Sequence, residues 1–313
     1  MAIITEAMVK SYTSNVVHLA QQKGSRLRGK GIRIESQKAE RAYYDRLGEG
    51  ELQEIVGRSS DTQYVDPDYS RRAVDMRPFA RSVLCDSTDK LKVIHQPTSE
   101  YAKTNAMAAG RKIDDIIIAA ALGSAYGDKE GNTAIPLPNS QKLACFDGTT
   151  TTGVEMNIET LIRLRGKFWE NESDDEPIYL VVTGRQLEDL LNEEKLTSSD
   201  YASVKALVRG EINSFMGFEF IRSQRLPRLA ANATYTVTNG TVGAGTGTVT
   251  AATSRRCFAY QGSAILLAIG EDSFSRIQEE STKNYSWSVY FRMVMGATRL
   301  EEERVVELIC NEA

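Results

Sequence analysis

From Thr98 to Leu122 the chain runs without a proline, and Tyr101, Ala106, Ala109, Ile113, Ile116, Ile117 and Ala120 recur, from Ala106 onward mostly three or four residues apart. That spacing predicts one long helix. Thr98 or Ser99 can cap its free amides, and Glu100 suits the positive end of the helix dipole. Gly123 and Gly127 end it. Roughly 25 residues at about 1.5 Å each make a rod on the order of 37 Å. Ala102, Ala106, Ala109 and Gly110 keep one side narrow enough for close backbone approach.

What flanks the rod differs on its two sides. Residues 5 to 22 place Met8, Tyr12, Val16 and Leu19 at helical spacing, after which Gly24, Gly29 and Gly31 loosen the chain. From Ala39 to Leu91, Tyr43, Tyr44, Ile55, Val56, Tyr64, Val65, Tyr69 and Val74 alternate with turn residues, predicting extended strands and at least one hairpin. Few apolar positions are consecutive there, so such a hairpin needs a neighbour to pack on. Beyond the rod, residues 155 to 222 alternate helices with strands: Ile158, Leu161, Ile162 and Phe168, then Ile178–Val182, then Leu187, Leu190 and Leu191. A further helix opens at Ser198 or Ser199 and carries Val204, Leu207, Val208, Ile212 and Phe215, before a strand at Phe218–Ile221. This is an α/β stretch.

Residues 230 to 254 hold no charge, eight threonines and four glycines. Thr234–Thr238 alternates before Asn239-Gly240, a hairpin signal, so the segment reads as an inserted surface hairpin or as a disordered low-complexity loop. The last sixty residues read as strands, with Trp287, Val289, Phe291, Met293 and Met295 at period two, and are expected in one antiparallel sheet beside the long helix. Taken in order, these parts suit a chain built to touch copies of itself rather than to transform a substrate.

At 313 residues the chain can bury a sizeable core in two lobes. A formal charge of -4 argues against a dedicated nucleic-acid binder. The charge is uneven, however. Lys23, Arg26, Arg28, Lys30, Arg33, Lys38 and Arg41 face only Glu35 and Glu40. Such a basic arm is either a tether to an acidic surface or phosphate backbone, or a solvated face. No apolar run is long enough to span a bilayer, and the N-terminus lacks the regions of a signal peptide, which points to folding in a reducing cytoplasm.

No catalytic or metal constellation emerges. Cys85, Cys145, Cys257 and Cys310 are far apart in sequence, and only His18 and His95 could join them on a zinc ion. There is no G-x-S-x-G turn. Gly243-Ala-Gly-Thr-Gly247 has the glycines of a phosphate loop without its lysine or its helix. Glu170, Glu172, Asp174, Asp175 and Glu176 lack the spacing of a calcium loop and read as a solvated loop; Glu301-Glu-Glu303 reads as a solvated turn. Cofactor, metal and catalytic residues are therefore expected to be none.

Several phrases nonetheless resemble one family. They are Gln21-Gln-Lys-Gly-Ser-Arg-Leu-Arg28, Asp61-Thr-Gln-Tyr-Val-Asp-Pro-Asp-Tyr-Ser-Arg-Arg72 and Gly110-Arg-Lys-Ile-Asp-Asp-Ile-Ile-Ile-Ala-Ala-Ala-Leu-Gly123. Thr197-Ser-Ser-Asp-Tyr201, Phe218-Glu-Phe-Ile-Arg-Ser223 and Gly296-Ala-Thr-Arg-Leu-Glu-Glu-Glu303 complete the set. Together they resemble the major capsid proteins of tailed bacteriophages. The resemblance covers nearly the whole chain except residues 230 to 254.

That resemblance implies an α+β chain with the Hong Kong 97-like capsid fold. Its parts would be an N-terminal arm at 1–38, an extended E-loop at 39–80, and a first part of the P-domain at 81–149 with spine helix 98–123. An A-domain at 150–254 with an inserted hairpin at 230–254 follows, then P-domain return strands at 255–313. The E-loop-like text begins near residue 39, leaving no room before it for a cleaved scaffolding domain. In the family the E-loop contacts the neighbouring P-domain. Arg46, Arg58, Asp61, Asp66, Asp68, Arg71, Arg72 and Arg77 are the candidates for inter-subunit contact, and Lys23, Arg26, Arg28, Lys30 and Arg33 form the basic arm.

The implied function is structural. Copies would form hexamers and pentamers of an icosahedral head around double-stranded DNA held non-specifically. A scaffolding protein, a portal and a decoration protein would be partners, and no membrane. The chain would sit in the virion capsid, and in the host cytoplasm during assembly. The alternative with the same fold is the shell subunit of a cargo-enclosing nanocompartment.

Overall fold

The computed structural model describes residues 21–48, 50, 52, 54, 57, 64–85, 97–145, 155–172, 176–192, 214–229, 234–238, 241–242, 247–250 and 254–312. The helix expected over 5 to 22 falls almost wholly outside them, as do His18, His95 and most of the helix expected from Ser198.

The first half of the chain holds β1 (Arg33–Ser36), β2 (Arg41–Leu47), β3 (Tyr69–Asp75), β4 (Arg77–Cys85), α1 (Pro97–Leu122), β5 (Ala125–Gly127), β6 (Thr133–Ile135) and β7 (Lys142–Ala144). Next come α2 (Ile158–Glu170), β8 (Ile178–Val182), α3 (Gly184–Asn192), β9 (Ser214–Phe215) and β10 (Phe218–Arg222). The remainder is β11 (Thr234–Thr238), β12 (Thr241–Val242), β13 (Gly247–Thr250), β14 (Ser254–Gln261), β15 (Ile265–Glu280), β16 (Ser286–Arg299) and β17 (Val305–Asn311). Two compact units emerge, one of residues 1–25, 78–112 and 271–295, the other of 26–77, 113–270 and 296–313.

In the first unit β15, β16 and β4 are successive sheet neighbours, with β4 at the edge. Asn284 and Tyr285, both left-handed at φ 53, turn the chain from β15 into β16. Cross-strand pairs tie the two together: Arg292 donates Nε to Glu271 at 2.8 Å, and Phe274 meets Tyr290 edge-on. The period-two pattern does what it predicts, burying Val289, Met293 and Met295.

The second unit is built on a nine-stranded sheet in the order β13-β11-β12-β7-β17-β14-β8-β10-β9. Its centre is apolar without alternation, because Ile178, Leu180, Val181 and Val182 of β8 and Val305, Val306, Leu308 and Ile309 of β17 are all buried. Such strands are covered on both faces. Asn157 accepts the Thr160 amide at 2.8 Å to start α2, which buries Leu161, Leu164 and Phe168. Phe215 lies in β9 rather than on a helix face.

The last sixty residues do not form one sheet. β15 and β16 belong to the four-stranded sheet β1-β15-β16-β4, whereas β14 and β17 lie in the nine-stranded one. Their patterns differ accordingly, alternating in β16 and continuous in β17. β1 lies in what reads as a loose arm, and pairs parallel to β15 from Arg33↔Leu266 to Ser36↔Ile269.

The residues around Asn239-Gly240 pair as a two-residue turn requires, Thr238 with Thr241 and Val237 with Val242. This ribbon joins the sheet through one register pair, Thr241↔Leu143.

A third sheet, β2-β3-β5-β6, supplies the neighbour that the β2–β3 hairpin needs. β2 and β3 are antiparallel from Arg41↔Asp75 to Leu47↔Tyr69, and β3 continues onto β5 through Arg72↔Gly127. A Cβ on Gly127 would lie 2.6 Å from Ile135 Cδ1 and 2.8 Å from Arg72 Nη1, so a larger residue at this crossing would push both side-chain ends aside.

Candidate functional site

The hairpin and its surroundings collect most of the expected contact residues, but the structure sorts them by role. Arg71 forks onto Asp45 at 2.6 and 3.2 Å on the exposed face, with its guanidinium 5.4 Å from the Tyr43 ring centre. Its hydrogen bond holds the Asp45 carboxyl below the usual carboxylate range. Arg41 is likewise paired to Asp75 at 2.5 Å.

Arg72 is different. It is 3% exposed and donates Nη2 to Glu302 at 2.6 Å, so this expected contact with a neighbour is instead an internal ion pair. Arg46 donates to Ser70 Oγ at 3.1 Å and to the Leu300 carbonyl, and lies 3.6 Å from Glu302. Burial, and then the nearby Arg72 charge, lower its pKa. Glu301-Glu-Glu303 is therefore more than a solvated turn, because Glu302 is its interior anchor.

Arg299, fully buried, completes this cluster. Its Nη1 donates to the carbonyls of Ala121 and Gly123 at 2.9 Å each, and its Nε is 3.6 Å from Glu302. The last turn of α1 has no basic residue of its own. Arg299 supplies the positive charge that a helix C-terminus favours, and Arg256 adds a bond to the Leu122 carbonyl at 3.1 Å.

Asp66, Asp68 and Arg77 are exposed, and among the described residues their side chains form no ion pair. Arg58 and Asp61 lie outside the described residues. The far end of the hairpin is also apolar: Leu47, Leu52, Tyr64, Val65 and Tyr69 are all exposed, Tyr64 at 91%.

The basic arm is anchored from Arg26 onward. The amides of Arg26 and Leu27 donate to the buried Asp114 carboxylate at 3.1 to 3.2 Å, and Tyr260 donates its hydroxyl to the Lys30 carbonyl at 2.6 Å. Burial pushes the Tyr260 phenol far above its ordinary pKa, so it remains a donor. Lys30 pairs with Glu219 and Arg33 with Glu35; Arg28 is half-buried and engaged, and Lys23 is exposed. Arg26, Lys30 and Arg222 line a surface cleft of about 390 Å³ with Glu219.

Three of the distant cysteines meet. Cys145 and Cys310 lie with sulfurs 3.1 Å apart, and Cys257 is beside them. Hydrogen bonding with Cys145 and then Cys257, followed by burial, raises the Cys310 pKa well above the ordinary range, which suits packing rather than nucleophilic work. Among the described residues no group of three or more His, Cys, Asp or Glu could hold a metal ion.

Sequence reading missed Arg299, Glu302 and Asp114. Arg299 and Asp114 had one available signal, charge set within mostly apolar sequence, at Gly296–Leu300 and, with Asp115, at Ile113–Leu122.

The family described as phage capsid protein matches residues 4–312. Among curated proteins, none matches. Solved structures do. The capsid of cyanophage P-SCSP1u aligns with TM-score 0.70 at 13% identity, over 99% of this chain and 95% of that one. The capsid of cyanophage Pam1 aligns at 0.71 and 12%, over 99% and 98%. The capsid of Ralstonia phage GP4 aligns at 0.72 and 12%, over 97% and 95%. Likeness at such identity establishes the fold.

Proposed function

The chain belongs to the phage capsid protein family, and from that premise we propose that it is the major capsid protein of a tailed bacteriophage with the Hong Kong 97-like fold. It is a structural protein of the virion shell and not an enzyme. In this reading its copies form hexamers and pentamers that close an icosahedral head around double-stranded DNA. The β2–β3 hairpin fills the E-loop position at 39–80, α1 the spine helix, and the nine-stranded sheet the A-domain together with strands from outside 150–254.

The observation that carries this reading is the far end of the hairpin, where Leu47, Leu52, Tyr64, Val65 and Tyr69 are exposed on one element. Five large apolar side chains left exposed within residues 47 to 69 suit a contact with another molecule. Asp66 and Asp68 beside it, which form no ion pair among the described residues, would choose the docking register, since exposed ion pairs contribute specificity more than affinity. Arg26, Lys30 and Arg222 offer a non-specific phosphate contact for packaged DNA. A scaffolding protein, a portal and a decoration protein are the further partners of this reading, with assembly in the host cytoplasm. A cargo-enclosing shell is the weaker reading, because the family is one of phage capsid proteins.

Electron microscopy of the purified protein tests it. Capsomers or closed shells are expected; a stable 34.7 kDa species at micromolar concentration would overturn it. Nuclease-protected double-stranded DNA inside native particles, rather than a protein cargo, separates the virion from the compartment.

A further inference from the structure

In the second unit a pocket of about 730 Å³ opens between the β2–β3 hairpin and the β5–β6 turn, lined by Arg46, Arg71, Arg72 and Lys129 with Tyr69 and Ile135. Two acids, Asp45 and Asp128, also line it, and both are answered from within. Arg71 forks onto Asp45 at 2.6 and 3.2 Å. Asp128 accepts the Lys129 amide at 2.6 Å and the Thr133 hydroxyl at 3.4 Å.

The cations are not answered in the same measure. Arg46, Arg72 and Arg299 gather around one carboxylate, Glu302, while the next acid, Glu301, pairs with Arg304 at 2.7 Å. Arg299 turns its Nη1 to the carbonyls that end α1, which leaves Arg46 and Arg72 with a share of Glu302. Arg72 is 3% exposed, and its Nε has no hydrogen-bond partner among the described residues. Buried charges are ordinarily paired, so positive charge is left over here, and Arg46 and Arg72 carry it to the pocket wall. Lys129 adds to it. A phosphate monoester matches this remainder, being close to a dianion at neutral pH with three acceptor oxygens that guanidinium forks take in pairs. A bare inorganic ion would leave most of the pocket empty. Tyr69, 76% exposed on its wall, offers a ring on which a planar group can stack. The cleft at Arg26 and Arg222 fits less well, because its Lys30 is already paired with Glu219 and Arg26 with the Arg222 carbonyl.

We propose that this pocket binds a phosphate monoester with a planar ring, of the mononucleotide class, its phosphate on Arg46, Arg72 and Lys129 and its ring on Tyr69. The inference goes beyond the shell reading and does not rest on it.

The test is isothermal titration of the purified full chain with deoxyadenosine monophosphate, deoxyadenosine and inorganic phosphate at constant ionic strength. The monophosphate should bind at one site per chain, inorganic phosphate should compete for that site more weakly, and deoxyadenosine should bind weakest. Lys129→Ala and Arg46→Lys should each weaken the monophosphate several-fold. Tyr69→Ala should weaken the monophosphate yet leave inorganic phosphate unchanged, a split that general loss of structure would not produce. Should Arg46→Lys fail to fold, Lys129→Ala and Tyr69→Ala decide, since both positions are exposed. Absence of binding at millimolar monophosphate, or binding that these variants leave unaltered, overturns the site. A duplex oligonucleotide that binds and is not displaced by the monophosphate also overturns it, by giving these cations to a DNA backbone instead.

Discussion

Arg72 and Glu302 lie 230 residues apart in the chain and 2.6 Å apart in space. Glu302 is also 3.6 Å from both Arg46 and Arg299, so one carboxylate holds together the β2–β3 hairpin, the residue that caps α1, and the turn before β17. Three guanidiniums around a single carboxylate make that carboxylate hard to replace.

Arg72→Ala should therefore destabilise the subunit by about 1.5 to 3 kcal/mol, because Glu302 loses its hydrogen-bonded partner but keeps Arg46 and Arg299 nearby. Urea unfolding followed by tryptophan fluorescence measures this. Arg71→Glu should change stability by no more than about 1 kcal/mol, since its pair with Asp45 is exposed. Reversing both arginines together should lower the subunit's own stability as well as its assembly, because Arg72→Glu would place a second carboxylate against Glu302.

Asp189 gives stability a distinct pH dependence. Burial, and then repulsion from Glu155, raise its pKa to about 6, against a value near 4 in an unfolded chain. The folded state binds this proton more tightly, so the contribution to stability is full below about pH 4 and lost as pH rises through 6. Asp189→Asn should remove that loss, gaining about 2 to 3 kcal/mol over wild type at pH 7 and little at pH 4. Equal stability differences at the two pH values would show that Asp189 titrates normally.

Asp114 ties the arm to α1 by accepting the amides of Arg26 and Leu27. Hydrogen bonds to a charged group contribute about 1.5 to 3 kcal/mol, so Asp114→Ala should raise local opening roughly tenfold or more. Limited trypsin digestion reads this as faster cleavage after Arg26, Arg28 and Lys30. Cleavage at the wild-type rate would place the anchor elsewhere, for instance on the Tyr260–Lys30 bond.

Residues 232 to 252 should be replaceable by a short Gly-Ser link with shells still forming. Among the described residues, the strands of this segment pair with the rest of the sheet through Thr241↔Leu143. Insoluble protein, or soluble protein without shells, would make the ribbon part of the core or of a required contact.

Local pattern was enough for the elements. The proline-free stretch became α1 within one residue at each end, alternation gave β2, β3 and β16, and Asn239-Gly240 marked its hairpin. These signals depend on residues a few positions apart, where side-chain period and turn chemistry act. The phrases shared with phage capsid proteins likewise lay open in the chain.

Only the tertiary structure decided which strands share a sheet and which charges are interior. β14, β17 and β7 are all short apolar strands, and nothing local distinguishes joining the nine-stranded sheet from joining β15 and β16. Arg71 and Arg72 are adjacent and chemically identical, yet pairing in a strand points them to opposite faces, one to solvent and one to Glu302. Desolvation and long-range pairing depend on what the fold brings near, and that information is spread over the whole chain.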